Sequence, residues 1–439
     1  MALAAAPGRD GFDYNPRMFD PVTALRIASV ALMLQVGLSA QAGTDAERWP
    51  DYRGPGWNGH ADEAEAPIEW SESKNVRWKT AIRGVGWASP VVWGRQVWVT
   101  SADESGHRLY AVAVDLDSGE VVHDLLVFEV DEPEPKNELN SFASPSPVIE
   151  DGRVYVHFGT YGTACLDTAS GQKLWERRDL NCDHKEGPGS SPVLYRDKLI
   201  FNVDGADVQY VIALDKQTGE TRWKTPRDAG LEELRPDLRK AYSTPIIVED
   251  EGAPQLLSSG AEATVAYDPD TGEELWRVRY RGFSMSARPI TDGELVFLNT
   301  GFPKPNLLAV RLGGAGDVTD SGVAWRYRRG VPQMSSALHA DGRIFFVSDG
   351  GIVTCLRSED GRRLWRQRIG GRHCGSPVVV AGRVYFFDRD GRSVVLEAAE
   401  SYVKLGENQL GEGFMACPAV VSDGFILRGT EHLYRIGER

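Results

Sequence analysis

Short hydrophobic runs separated by glycine-containing turns fill the chain from about residue 75 to its end. Typical runs are Val154–Val156 and Val384–Phe386, and each of them follows a Gly-Arg pair. Runs of this length, rich in β-branched and aromatic residues and bounded by turn residues, are typical of β-strands. The 47 glycines and 24 prolines also favour many tight turns over long helices. The pattern therefore predicts an all-β protein.

A small residue plus proline opens a hydrophobic run again and again along the chain. The copies are Ser89-Pro90, Ser146-Pro147, Ser191-Pro192, Thr244-Pro245, Ala287-Arg288-Pro289, Ser376-Pro377 and Cys417-Pro418, with a copy that lacks the proline at Ser336-Ala337. Pro90 and Pro418 lie seven steps and 328 residues apart, so the mean spacing is about 47 residues. A period of this size indicates a repeat architecture.

A second motif completes each repeat. Ala213, Asp215, Thr218, Gly219 and Trp223 recur with identical spacing from Ala266 to Trp276, and looser copies surround them. The Asp carboxylate can accept backbone N–H groups two or three residues later, and Gly supplies the positive φ that the turn requires. The Trp then begins an outer strand, where its ring can cover a neighbouring unit. The predicted docking tryptophans are Trp78, Trp175, Trp223, Trp276, Trp325 and Trp365.

Each repeat has room for four short antiparallel strands, which is the composition of a propeller blade. There are eight strand starts of the Ser-Pro type, but the last repeat is cut short by the end of the chain at Arg439. Residues 75–79 resemble the Trp-bearing strand of a blade with nothing before it. We therefore expect an eight-bladed β-propeller of four-stranded antiparallel blades, closed by this N-terminal strand. A seven-bladed ring is the alternative.

The N-terminal region reads as a leader. Ile27–Leu38 carries no charge, follows Arg26 and ends near Ala40-Gln41-Ala42, as in a secretory signal peptide. This apolar run is too short to span a membrane as a helix. The expected organisation is a leader at 1–42 (with Met18 as an alternative start), an extended segment at 43–74 and the propeller at 75–439. The expected location is periplasmic or extracellular, as a monomer that does not span the membrane.

The net charge of −14 argues against nucleic acid as a partner, because phosphate binding needs clustered Lys and Arg. Five cysteines are too few for a disulfide scaffold. The repeat places Cys165 and Cys355 in opposite blades, where we expect free, buried thiols. Cys374 and Cys417 fall in adjacent blades, and the sequence leaves a disulfide, a metal site and free thiols open for them.

The docking motif resembles that of the PQQ-like (quinoprotein-type) β-propeller repeat family. The opening Trp49–Pro55 also resembles the start of small exported members, and BamB-like propellers are related. The enzymes of this family carry pyrroloquinoline quinone with calcium at the propeller axis. This sequence has neither the adjacent Cys-Cys pair of many such enzymes nor a C-x-x-C-H haem motif. The resemblance thus implies the fold strongly and an activity weakly.

Residues that precede the repeated prolines should converge at one end of the axis, as a funnel. The candidates for a ligand or partner site are Trp87, Asn140, His184, Glu186, Tyr242, Arg288, Gln333, His373 and Cys374. A plain packing role for them is the alternative. No metal site and no catalytic residues are assigned from the sequence.

The favoured function is a non-catalytic, exported binding or scaffolding propeller that engages an envelope protein or a small ligand, with no confident cofactor. One alternative is a quinoprotein oxidoreductase that uses pyrroloquinoline quinone and calcium. Another is a sugar- or polymer-degrading accessory protein, for which the sequence offers no paired carboxylates.

Overall fold

The computed structural model describes residues 47–227 and 230–438. The predicted leader at 1–42 lies outside these residues. Within them the chain forms 35 short strands and three one-turn 3-10 helices, at Gly159–Tyr161, Leu231–Glu233 and Pro236–Leu238. No helix in the described ranges has the length and apolar character that a membrane span requires.

The strands form eight small sheets, one for each blade. Three strands precede the first repeat: β1 (Arg48–Trp49), β2 (His60–Ala61) and β3 (Val76–Ala81). Blade 1 consists of β4 (Val91–Trp93), β5 (Gln96–Ala102), β6 (Arg108–Asp115) and β7 (Val121–Glu129), and blade 2 consists of β8 (Val148–Glu150), β9 (Arg153–His157), β10 (Thr163–Asp167) and β11 (Lys173–Arg177). Blade 3 consists of β12 (Val193–Tyr195), β13 (Lys198–Asp204), β14 (Gln209–Asp215) and β15 (Thr221–Pro226), and blade 4 consists of β16 (Ile246–Asp250), β17 (Ala253–Gly260), β18 (Ala263–Tyr267) and β19 (Glu274–Arg279).

Blades 5 to 8 follow in the same way. Blade 5 consists of β20 (Ile290–Thr291), β21 (Leu295–Asn299), β22 (Leu307–Arg311) and β24 (Val323–Tyr327), and blade 6 consists of β25 (Leu338–Ala340), β26 (Arg343–Val347), β27 (Ile352–Arg357) and β28 (Arg363–Arg368). Blade 7 consists of β29 (Val378–Val380), β30 (Arg383–Phe387), β31 (Arg392–Glu397) and β32 (Lys404–Gln409), and blade 8 contains β33 (Ala419–Val421), β34 (Gly424–Arg428) and β35 (His432–Gly437). The remaining strand, β23 (Gly316–Asp317), belongs to the chain of blade 5 but pairs in parallel with β19 of blade 4.

Blade 8 is built from both ends of the propeller. Its sheet has the order β3-β35-β34-β33, and β3 runs antiparallel to β35 from Val76 opposite Ile436 to Ala81 opposite His432. The predicted eight blades and their closure by the N-terminal strand are therefore confirmed, and the seven-bladed alternative is excluded. Because β3 supplies the outer strand, blade 8 has four strands like the other blades and β35 has no unpaired edge.

The hydrophobic core lies between neighbouring blades. One cluster joins Tyr155 and Cys165 of blade 2 to Phe201 and Ile212 of blade 3, and the other clusters join blades in the same manner. The two central strands of a blade are buried on both faces, as the burial of β5 and β13 shows. This is why their sequences are nearly continuous apolar runs, whereas the outer strands alternate.

The turn motif holds one blade against the next. Asp215 Oδ1 accepts the backbone N–H groups of Gln217 and Thr218 at 2.7 and 2.8 Å, as the spacing predicts. In the following blade Gly272 has φ +76°, and a Cβ there would lie 2.5 Å from the Trp223 ring. Trp223 Nε1 also donates to the carbonyl of Pro269 at 3.1 Å. The glycine is thus required both for the turn and for the docked ring.

Five of the six predicted tryptophans make this contact with the next blade. Besides Trp223, the indoles of Trp78, Trp175, Trp325 and Trp365 donate to the carbonyls of Leu116, Lys216, Ser358 and Ala399. Trp276 differs, because its indole donates to Gln255 Oε1 in its own blade. It lies opposite Gly316 of β23, which covers the outer strand of blade 4.

Candidate functional site

A ring of hydrogen-bonded residues, interrupted at one step, surrounds the propeller axis. Its members lie two residues before the inner strand of each blade, and we call them the axial ring: Ser89, Ser146, Ser191, Thr244, Arg288, Ser336, Ser376 and Cys417. In seven of the eight steps the backbone N–H of one member donates to the side-chain oxygen or sulfur of the next, at 2.9–3.1 Å. The step from Thr244 to Arg288 is the exception, because a guanidinium has no acceptor.

A short N-terminal stretch, residues 49–59, crosses the axis on one side of this ring, and we call it the crossing segment. It pairs Trp49 with Val92 of blade 1 and accepts a hydrogen bond at Pro50 O from Ile149 N–H of blade 2. It then reaches blade 7, where Arg53 Nη1 donates to Pro377 O at 2.6 Å. Contacts with blades on several sides of the ring mean that this segment closes one end of the axis.

The side chains of two arginines and one aspartate are buried beneath the axial ring. Arg288 Nη1 lies 2.7 Å from Asp51 Oδ1, and its other nitrogens donate to Pro245 O at 3.0 and 2.8 Å. The guanidinium of Arg53 donates to the carbonyls of Pro377 and Asn58, and within the described chain it contacts no carboxylate. Burial lowers the pKa of Arg53. This layer therefore carries two positive charges against one negative charge.

Above the ring lies a cavity of about 520 Å³ that receives residues from all eight blades. Tyr52 of the crossing segment and seven members of the axial ring, all except Arg288, form its floor. The Tyr52 ring lies against the Arg288 guanidinium at 5.2 Å, and burial raises the pKa of its hydroxyl to about 12. Leu139 and Phe302 lie at the open rim and are 37% and 42% exposed.

Glu186 and Lys240 are the two charged residues of the described cavity wall, and they face each other. Lys240 Nζ lies 3.2 Å from Glu186 Oε1, while Asn137 Nδ2 donates to Oε2 at 2.8 Å. The Asn137 hydrogen bond, followed by that from Lys240, lowers the pKa of Glu186. Asn140 Nδ2 also donates to Glu186 O at 2.7 Å. The wall is thus rigid and close to neutral.

Six of the nine predicted funnel residues line this cavity: Trp87, Asn140, Glu186, Tyr242, Gln333 and Cys374. The structure places the other three away from it. Arg288 lies beneath the floor, and His373 is buried with its ring nitrogens 2.9 and 3.1 Å from the carbonyls of Gly370 and Phe387. His184 is also buried, and its Nε2 accepts the Thr160 N–H at 3.0 Å.

The residues that form the floor were not predicted from the sequence. The serines of the axial ring looked like small packing residues in front of each proline, although their recurrence at every repeat was the available signal. Tyr52 reaches the cavity from the N-terminal stretch, outside the repeats. Lys240 lies five residues before Pro245, in the same segment as the predicted Tyr242, but was not singled out.

All five cysteines are free thiols. Cys165 and Cys355 are buried in opposite blades, as expected, and burial raises the pKa of these thiols to about 11 and about 12. Cys374 and Cys417 both line the cavity, and no disulfide joins them.

A group of possible metal ligands within the described residues, Glu412, Glu431 and His432, lies in blade 8. The carboxylate of Glu412 already accepts the backbone N–H groups of Glu431 and His432 at 2.8 and 3.1 Å, and the Tyr434 hydroxyl at 2.9 Å. These bonds give Glu412 a role in anchoring the loop.

The cavity lining can be tested against a quinone with three carboxylates and a bound calcium ion. Calcium needs several free oxygen ligands, but both oxygens of Glu186 are taken by Asn137 and Lys240. Lys240 is also the one cation of the described lining, and it is paired. Because Glu186 is the one carboxylate of the described lining and is already paired, the residues present do not fit the calcium ion.

Comparison with known proteins places this architecture in a family. A family model described as "Outer membrane protein assembly factor BamB" matches residues 62–178, 131–312, 209–340 and 314–404. These matches together extend from residue 62 to residue 404, which is most of the chain.

Solved structures share the fold. BamB from Moraxella catarrhalis superposes with a TM-score of 0.58 at 11% identity, over 82% of this chain and 99% of that chain. The quinohemoprotein alcohol dehydrogenase from Comamonas testosteroni superposes with a TM-score of 0.60 at 14% identity, over 93% and 83% of the two chains. At such identities the likeness shows the fold alone.

A curated relative, the 1-butanol dehydrogenase (quinone) of Thauera butanivorans, is 28% identical over 249 residues, which is 48% of this chain and 34% of that protein. The chain thus spans about a third of the length of this relative. The resemblance that the docking motif predicted is confirmed by the family match, and the chain belongs to the PQQ-like β-propeller family described as outer membrane protein assembly factor BamB.

Proposed function

We propose that this protein is an exported, non-catalytic binding propeller that holds a ligand, or the end of a partner protein, in its axial cavity. The observation that carries the proposal is the cavity itself, which is closed below by the crossing segment and open at an apolar rim. Pockets that combine aromatic walls with a few fixed polar groups are typical of binding sites. The signal-like sequence at 1–42 supports export to the periplasm or beyond.

The lining favours binding over catalysis. Acid–base catalysis needs a titratable group that is free to exchange a proton with a substrate. In the described wall Glu186 and Lys240 neutralise each other, and the buried His184 and His373 bond to the protein backbone. The similarity in fold to BamB supports a protein partner as one kind of occupant.

A crosslinking experiment tests the proposal. A photo-reactive amino acid at Leu139 or Phe302, at the rim, should give a discrete adduct in cells that make the protein. The same group at Val121, which is 47% exposed on β7 of blade 1, is the control. Equal adducts at all three positions, or none at the rim, would contradict a binding role for the cavity.

The alternative function is a quinoprotein oxidoreductase, which the 28% identity to 1-butanol dehydrogenase (quinone) favours. Titration of the purified protein with pyrroloquinoline quinone and calcium distinguishes the two proposals. We expect no stoichiometric change in absorbance and no dye-linked oxidation of alcohols, because the wall offers no free metal ligands. Oxidation that depends on the quinone would establish the enzyme instead.

A further inference from the structure

The cavity floor presents an array of hydroxyl hydrogens. Six members of the axial ring carry a hydroxyl group: Ser89, Ser146, Ser191, Thr244, Ser336 and Ser376. Each of these oxygens accepts a backbone N–H from the neighbouring blade, and within the described residues none of the six donates a hydrogen bond. Since a hydroxyl has one hydrogen to donate, the floor holds six donors that are not used by the protein.

These hydroxyls belong to buried residues and are held in fixed positions. The six residues are only 2% to 5% exposed, and all of them line the cavity. Their oxygens are held in place by the backbone bonds around the ring, so they require little ordering when a ligand binds. A preorganised set of donors at the floor of a cavity favours a ligand group rich in acceptors.

The charge beneath the floor has the matching sign. Arg53 and Arg288 carry two positive charges, and Asp51 carries one negative charge. The excess of one positive charge lies in a buried layer, where screening by salt is weak. It favours a single negative charge at the axial ring.

The rim is suited to an apolar body. Phe283 and Phe302 pack edge to face with ring centroids 5.4 Å apart, and both line the cavity. Leu139 lies at the rim as well, and Met334 and Met415 add further apolar lining. The cavity therefore changes from hydroxyl donors at its floor to aromatic and aliphatic groups at its mouth.

We propose that the ligand class of this cavity is an organic carboxylate, with its carboxylate at the axial ring and an apolar body at the rim. The inference rests on the proposed binding function and specifies its ligand. A carboxylate supplies one negative charge and several acceptor lone pairs, which match the excess charge and the hydroxyl donors.

Calorimetric titration with cinnamate and cinnamamide tests this chemistry. The two molecules have nearly the same shape, but only cinnamate carries a carboxylate. We expect cinnamate to bind at least tenfold more tightly than cinnamamide at pH 7, because hydrogen bonds to a charged acceptor are stronger than those to a neutral one. Inorganic phosphate should not compete, because it has no apolar body for the rim.

Matched variants locate the interaction. Cys417 shows that a thiol can act as the acceptor in the ring, so Ser191→Cys and Ser336→Cys should preserve the backbone bonds while weakening the donor. We expect each to weaken cinnamate binding by about tenfold and Cys417→Ser to tighten it. Ser401→Cys, in the exposed turn between β31 and β32, is the control, and melting curves confirm that each variant is folded.

The outcomes separate the two proposals. Equal binding of cinnamate and cinnamamide overturns the carboxylate inference but leaves a binding cavity. Cinnamate that fails to bind, or that binds Ser191→Cys and Ser336→Cys as well as the unaltered protein, also overturns the inference. Crosslinking at Leu139 and Phe302 tests the binding function independently of any of these results.

Discussion

His184 illustrates how a residue that looks functional in the sequence can be structural. Its imidazole is buried, and its Nε2 accepts the Thr160 N–H at 3.0 Å. The Cys182 Sγ atom lies 3.5 Å from His184 Nδ1. Burial lowers the pKa of His184 to about 4, so the side chain stays neutral in the folded protein. Its backbone carbonyl accepts the Tyr242 hydroxyl at 2.7 Å, and in this way His184 supports the cavity wall without lining it.

This low pKa predicts a pH dependence of stability. An unfolded histidine titrates near 6.5, whereas folded His184 titrates near 4. As the pH falls from about 6.5 to about 4, His184 therefore binds a proton in the unfolded chain but not in the folded chain. The contribution of neutral His184 to the free energy of unfolding is fully present above pH 6.5. It declines by up to about 1.4 kcal/mol per pH unit as the pH falls through that window.

Urea unfolding of the unaltered protein and of His184→Gln measures this effect. Gln keeps an acceptor for the Thr160 N–H but does not titrate. The free energy of unfolding of the variant should depend less steeply on pH between 6.5 and 4.5. Parallel curves for the two proteins would show that His184 is not buried in its neutral form.

Positions relative to the repeated prolines predicted which loops reach the axis, but not where each side chain points. Asn140 and Glu186 line the cavity as expected, whereas the Arg288 side chain turns beneath it. Arg288 meets Asp51, 237 positions earlier in the chain, and a local motif contains no information about such a partner.

At the scale of the strand, the blade is the part of the fold that local sequence specifies most fully. The apolar inner strands, the Asp turn and the Trp strand all lie within one repeat of about 47 residues. Their contacts are therefore encoded by spacing alone. Spacing does not account for β23, because Gly316 lies in the chain of blade 5 but pairs with Trp276 of blade 4.

Neighbouring residues on β11 test the docking tryptophan. Trp175 is 9% exposed and its indole donates to Lys216 O of the next blade, whereas Leu174 is 43% exposed. Trp175→Ala should lower the free energy of unfolding by about 3–5 kcal/mol, as buried aromatic truncations do. Leu174→Ala, the control, should cost less than about 1 kcal/mol. Similar costs in chemical denaturation would contradict blade docking by Trp175.

For the whole molecule, the count of repeats predicted the ring and the unpaired Trp strand predicted its closure. What the sequence did not predict is the crossing segment, because its partners are spread over blades 1, 2, 5 and 7. Each of those contacts joins residues that no repeat relates. The floor of the cavity thus depends on long-range contacts that become visible only in the structure.

Removing residues 1–81 should therefore damage the protein as a whole. The deletion leaves β35 with an unpaired edge and removes the crossing segment from the axis. We expect aggregation or a strongly lowered melting temperature, measured against a chain that begins at Glu47. An unchanged melting temperature of the shorter chain would show that closure through β3 does not stabilise the ring.

The closure of blade 8 also dictates an order of events during synthesis. Residues 76–81 of β3 leave the ribosome early in synthesis, yet they pair with β35 at residues 432–437. At translation rates of 5–20 residues/s, β3 waits on the order of 20–70 s for its partner. Throughout that time the unpaired edge of β3 and the apolar face of Trp78 can pair or associate with other exposed segments. A holdase chaperone bound to this segment would keep its edge from mispairing until the last strand emerges and the ring closes.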